Sequence, residues 1–177
     1  MIRYLLLLCL IVSLQQDEDV MLWSASSQLA WNDFKAQPEN GTDIVATTAS
    51  GITFSYSIKK TDHKIVSFNT QVFGHFYPDK SWVILENADD YILAHEQLHF
   101  DITELHVRKF KQQIERLKVS AHIASDLDNL HQEINKLLSK MQNSYDGESD
   151  YSRNLIYQTK WHKFIKMELE KLSKYKS

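Results

Sequence analysis

The run Ile92–Phe110, ILAHEQLHFDITELHVRKF, decides how the rest of the chain is read. Within it, His95-Glu96-Gln97-Leu98-His99 spells HExxH. Positions four apart on an α-helix lie on one face, one turn above each other. His95 and His99 can therefore offer two imidazole nitrogens to a single metal ion. Glu96, next to the first ligand, projects beside that ion rather than onto it. In this arrangement two histidines bind zinc and the glutamate takes a proton from the zinc-bound water.

The flanking residues predict one long helix from about Asp89 to Lys118. Asn87, Asp89 and Asp90 are N-cap candidates whose charge suits a helix N-terminus. Tyr91, Leu98, Ile102, Leu105, Phe110, Ile114 and Leu117 recur at intervals of three and four, which makes an apolar stripe. His95 falls on that stripe and His99 on its shoulder, so both rings turn toward the core. A buried polar ring without a partner costs about 1–3 kcal/mol. A metal ion would supply the partner. The alternative is a pair of core histidines bonded to backbone carbonyls or tyrosines. His106 lies near the same face, but about 10 Å further along the axis, too far to share an ion with ligand distances of about 2 Å. It reads as packing or surface.

At 177 residues, 43% hydrophobic and 24% charged, the chain has room for one domain with its own core. The net charge of −3 and the lack of any basic block argue against a nucleic-acid partner. Arg3, the apolar run Tyr4 to Leu14 and the abrupt switch to Gln15-Gln16-Asp17-Glu18-Asp19 have the shape of a secretory signal peptide. The run is too short to span a bilayer. The expected division is a signal over residues 1–16, its cleavage point approximate, and a single domain over 23–177, exported and without a transmembrane span. Cys9, the only cysteine, falls inside the signal. The mature chain would then have no disulfide, thiolate ligand or cysteine nucleophile.

Along the chain, Trp31 and Phe34 read as packing anchors at the start of the domain. Ile44 to Ser50 is rich in β-branched residues, and Ile52 to Ile58 alternates apolar and polar. Lys59 to His63 is a polar turn. A longer strand or pair follows from Ile65 to Phe76, and Ser81 to Leu85 is a short apolar segment. This predicts three or four antiparallel strands. Ile123, Leu127, Leu130, Ile134, Leu137, Leu138 and Met141 form a second helical stripe with an expected break near Ala124-Ser125. Asn143 to Ser152 reads as a loop before a last helix carrying Leu155, Trp161, Ile165 and Leu172. His63, His75, His122, His131 and His162 are scattered singly, with His131 and His162 able to approach the site in three dimensions.

LAWNDFKAQP, ATTASGITFSYS, SWV, ILAHEQLHFDITELHVRKF and YDGESDYSRN ahead of Gln158-x-x-Trp161 occur in that order. Together they resemble a bacterial family, domain of unknown function 922, described as secreted zinc-dependent proteases. The resemblance runs from about Leu29 to Leu169, and the HEQxHFDI block is its most specific part. It implies zinc on His95 and His99, with Glu96 as general base. In that family the C-terminal loop reads Tyr-Asp-x-Glu-Thr-x-His-Gly, and its His is the natural third ligand. Here Tyr145, Asp146 and Glu148 match, Ser149 replaces Thr, and Tyr151-Ser152 stand in place of His-Gly. A catalytic zinc normally has three protein ligands and one open position. Glu148 and Tyr151 are the leading candidates for the third, with Asp150 behind them. Tyr151 would be unusual, because a phenol has a reference pKa of about 10. Glu104 lies roughly opposite the two histidines on the helix.

The expectation is an α+β domain, a small N-terminal antiparallel sheet followed by a helical half, in the manner of zincin metallopeptidases. Its function would be hydrolysis of a peptide or protein substrate with one Zn2+. The alternative is a secreted structural or binding domain whose metal site is degenerate or purely structural.

Overall fold

The computed structural model describes residues 19–177 apart from Asn40 and Thr42, so the segment read as a signal peptide lies outside the described residues. The elements are β1 (Met21–Leu22), β2 (Ala46–Thr47), β3 (Ser50–Thr61), β4 (Lys64–Phe76), β5 (Trp82–Val83), α1 (Asp90–Ile114), α2 (Ile123–Ser149) and α3 (Leu155–Lys171). This is an α+β arrangement, strands first and helices after. No helix among the described residues is long and apolar enough to cross a membrane.

The period-2 alternation of Ile52, Phe54, Tyr56 and Ile58 sends one row of side chains to the core. β3 and β4 pair antiparallel along their whole length, with one register shift at Lys59/Lys60. They are joined by Asp62 and His63 at φ 48° and 64°. Two positive φ values in a two-residue connection match the mirror-image turn that the twist of a hairpin favours. β1 adds to the other side of β4, and β2 pairs with β5 as a separate ribbon.

α1 runs through the middle of the domain. The Asp89 carboxylate accepts from the Ile92 amide at 2.8 Å and caps its N-terminus. The helix ends at Ile114 rather than Lys118, although Leu117 still packs on the core. Against one side, Val107, Phe110 and Ile114 pack with Val72, Ile123, Leu127 and Ile134 under the sheet. Against another, Leu98, Ile102 and Leu105 meet Leu138, Tyr145 and Ile165 of α2 and α3. The N-terminal segment covers a third side: Trp23, Leu29 and Phe34 cluster with Phe76 and Phe100. Phe34 sets its ring on Phe76 at 5.2 Å, with Trp31 against it at the same distance, as packing anchors would.

The C-terminal half departs from the sequence expectation. α2 begins at Ile123 without a break at Ala124-Ser125 and continues to Ser149, through most of the segment read as a loop. Asn143, Ser144, Gly147 and Ser149 are weak helix formers, but Tyr145 among them is fully buried. Burying a side chain of that size is worth about 2–3 kcal/mol, against roughly 1 kcal/mol for a glycine within a helix. Tertiary packing wins. The Ser149 hydroxyl donates back to the Tyr145 carbonyl at 2.6 Å, and Asp150 closes the helix at φ 49°.

His106 is packing, as expected, and buried completely enough to matter for stability. Its Nδ1–H donates to the Ile102 carbonyl at 2.8 Å, and burial brings its pKa down from 6.5 to about 4. The unfolded chain therefore takes up a proton between those values that the folded chain refuses. Stability is full above pH 6.5 and falls as pH drops toward 4, by about 3 kcal/mol in all. Urea unfolding of the protein and of His106→Leu across pH 4–7 should show the variant with the shallower acid slope. Parallel slopes would mean that this imidazole does not control the acid limb.

Candidate metal centre

The periodicity that put His95 and His99 on one face of α1 turns both rings toward the last turn of α2. Their side chains are 4% and 12% exposed. Their Nε2 atoms stand 3.2 Å apart. Asp146 completes the group, with its Oδ1 2.8 Å from His99 Nε2 and 3.3 Å from His95 Nε2. Among the described residues, these three could hold a metal ion: one ligand atom from each lies within 4.8 Å of the others. The donor set suits zinc. Two imidazole nitrogens and a carboxylate oxygen are a known catalytic zinc set, and bonds of about 2.0–2.1 Å in a tetrahedron put ligand atoms about 3.3 Å apart.

Charges reinforce the cluster. Burial opposes ionisation of Asp146, but hydrogen bonds from His95 and His99 overcome it and hold the carboxyl well below its usual range. Burial also opposes protonation of His99, and the Asp146 hydrogen bond with the charges of Glu96 and Asp146 outweighs that and raises its pKa. Tyr145 stacks on the His95 ring at 4.4 Å and meets His99 edge-on at 5.0 Å. Burial and then the charge of Glu96 push its phenol far up, so it stays neutral.

Glu96 is buried beside the group, 4% exposed, and lines the same cavity of about 560 Å³. One wall of that cavity is the segment 43–48, which carries β2, and the rim carries Tyr151, Ser152 and Arg153. The Thr48 hydroxyl donates to the Glu96 carbonyl at 3.2 Å, which ties that wall to α1.

The remaining residues raised by the sequence fall as follows. Glu148 points away, its Oε2 accepting from Trp161 Nε1 at 3.0 Å. Asp150 pairs with Arg153 at 2.9 Å. Neither belongs to the convergent group. Tyr151 lines the cavity, more than half exposed. Asp150, Tyr151 and Ser152 all lie in the left-handed region, at φ 49°, 50° and 71°. Ser152 thus has the conformation that the glycine of the resembling family favours. Glu104 is buried with Arg108 at 2.7 Å. His131 stacks on Phe110, and His162 lines a separate cavity with Trp23 and Asp101.

Two residues escaped the sequence reading, Asp146 and Gln142. Asp146 was already visible inside the Tyr-Asp-x-Glu match. What the sequence lacked was the helical phase that aims it at α1.

The other residues of the HEQxHFD block form a latch. Asp101 Oδ1 accepts from Trp23 Nε1 at 2.8 Å and from Gln97 Nε2 at 2.9 Å, while Gln97 Oε1 accepts from the Leu29 amide at 2.7 Å. Burial raises the Asp101 pKa against those hydrogen bonds. One face of this turn of α1 thus gathers the metal donors while another clamps the N-terminal segment. Residues 23–152 match the family described as "Bacterial protein of unknown function (DUF922)". The chain belongs to that family. No curated protein and no solved structure matches it. In this DUF922 chain the matched span runs from Trp23 of the latch to Ser152 on the cavity rim, so it takes in the whole three-residue group.

Proposed function

We propose that this protein is an exported zinc-dependent peptidase of zincin-like design, with Glu96 as general base. The observation that carries the proposal is the convergence of His95, His99 and Asp146 on the cavity that Glu96 lines. Three protein donors leave a tetrahedral ion one position for solvent or substrate, whereas a structural site is normally closed by a fourth. Zinc held there would acidify a water and polarise a carbonyl oxygen. Glu96, buried next to that position, accepts the proton of the attacking water and returns it to the departing amine. The wall at 43–48, with β2 at Ala46–Thr47, gives a peptide a strand to lie along. The export reading rests on Arg3 and the apolar run Tyr4 to Leu14.

The test is metal content by mass spectrometry, paired with hydrolysis of an unstructured protein such as casein. About one zinc per chain is expected, absent from His95→Ala, with cleavage stopped by a chelator and restored by zinc. A chain that stays free of zinc after incubation with excess metal would sink the proposal. Zinc retained with no hydrolysis of any peptide would favour the structural-site reading instead.

A further inference from the structure

His99 is held from behind as well as by Asp146. Its Nδ1 is hydrogen-bonded to Oε1 of Gln142, one turn before Asp146 on α2. The amide is not free to turn over. Gln142 Nε2 donates to the His99 carbonyl at 3.0 Å and to Thr103 Oγ1 at 3.4 Å, and the reversed amide would set oxygen against the carbonyl oxygen. Thr103 Oγ1 in turn donates to the same His99 carbonyl at 3.3 Å and lies 2.7 Å from Ser50 Oγ, which must then be the donor of that pair. Every proton in the chain Ser50–Thr103–Gln142–His99 is thereby assigned. An amide oxygen only accepts, so Nδ1 carries a proton, and Nε2 is the atom turned toward Asp146 and His95, the one an ion would take. His95 has no counterpart. Its Nδ1 is buried without a hydrogen-bond partner, and its ring is held by stacking on Tyr145.

We infer that Gln142 is a positioning residue for the metal centre, holding the Nδ1 proton and the ring angle of His99 before any ion arrives. The inference rests on the metal reading above. It also assigns a reason for three otherwise unremarkable polar residues, Ser50, Thr103 and Gln142, to meet where β3, α1 and α2 come together. Hydrogen bonds of this kind to a ligating histidine are typically worth 10- to 100-fold in metal affinity.

The test has two readouts. In the metal-free protein, long-range proton–nitrogen NMR should show His99 protonated on Nδ1, and Gln142→Leu should lose that preference. Zinc competition against a chromophoric chelator should show Gln142→Leu binding about 10- to 100-fold more weakly. Gln142→Glu keeps an acceptor behind Nδ1 but loses the donor to the His99 carbonyl, so it is expected to bind zinc more tightly than Gln142→Leu and more weakly than the wild type. That rescue separates a lost acceptor from lost packing. A wild type in which His99 carries no proton on Nδ1, or a Gln142→Leu variant that binds zinc as tightly as the wild type, overturns the inference and leaves the metal centre standing. A wild type that takes up no zinc overturns the metal centre and this inference with it.

Discussion

Glu96→Gln is expected to keep its zinc and to slow peptide hydrolysis by about a hundred- to ten-thousandfold. The side chain is buried on the wall of the cavity, adjacent to His95 but outside the three-donor group. Its carboxylate makes no hydrogen bond or ion pair with another described side chain, so the nearly isosteric amide should not disturb the fold. The amide oxygen still accepts a hydrogen bond, and a water can still bind and be oriented. What the amide cannot do is take the proton. The loss should therefore fall on kcat rather than on KM, and the ratio of zinc to protein should not move. The variant also removes a negative charge that helps raise the His99 pKa, so zinc affinity must be measured beside the rate. Unchanged hydrolysis would remove Glu96 from the chemistry. A parallel loss of zinc would make it a structural partner of the histidines instead of a base.

Much of this was legible because helices and hairpins write period and punctuation into a sequence. The 3.6-residue recurrence from Tyr91 to Ile114, with Asp89 in front, locates α1 and turns His95 and His99 inward. The alternation from Ile52 to Ile58 with polar residues after it locates the first arm of the hairpin. β1 was not legible, since a two-residue strand at Met21–Leu22 carries no period and exists only because β4 offers it an edge. The end of α2 was hidden for a different reason. Asn143, Ser144, Gly147 and Ser149 speak for a loop at the level of local preference, and the helix persists there because Tyr145 is buried against the imidazoles, Trp161 and the apolar residues of α1 and α3. With the loop reading, Asp146 is not singled out as the acid that groups with the two histidines. In a loop, any acid of Asp146-Gly147-Glu148-Ser149-Asp150 can reach the ion. In a helix, phase alone selects, and Glu148 is about 200° round from Asp146.

Asp146→Ala is therefore expected to weaken zinc binding by more than the hundredfold that an indirect partner of a ligand can cost, whereas Glu148→Gln, Asp150→Asn and Tyr151→Phe should each stay within about threefold of the wild type. The argument is geometric first: only Asp146 places an oxygen 2.8 and 3.3 Å from the two Nε2 atoms. Glu148 is engaged by Trp161 and Asp150 by Arg153, so recruiting either would break an existing contact and unwind the last turn of α2. The protonation argument points the same way. The Asp146 carboxyl is held below the usual range by the two histidines, so it is anionic at neutral pH without any ion present. A phenol at Tyr151 would first have to lose its proton. Removing Asp146 leaves two buried imidazoles with no shared acceptor and a two-donor site. Zinc competition across the four variants reads the assignment directly. Affinity lost in Tyr151→Phe and kept in Asp146→Ala would mean that the loop at 150–152 closes over the ion and that the carboxylate serves the histidines only when the metal is gone.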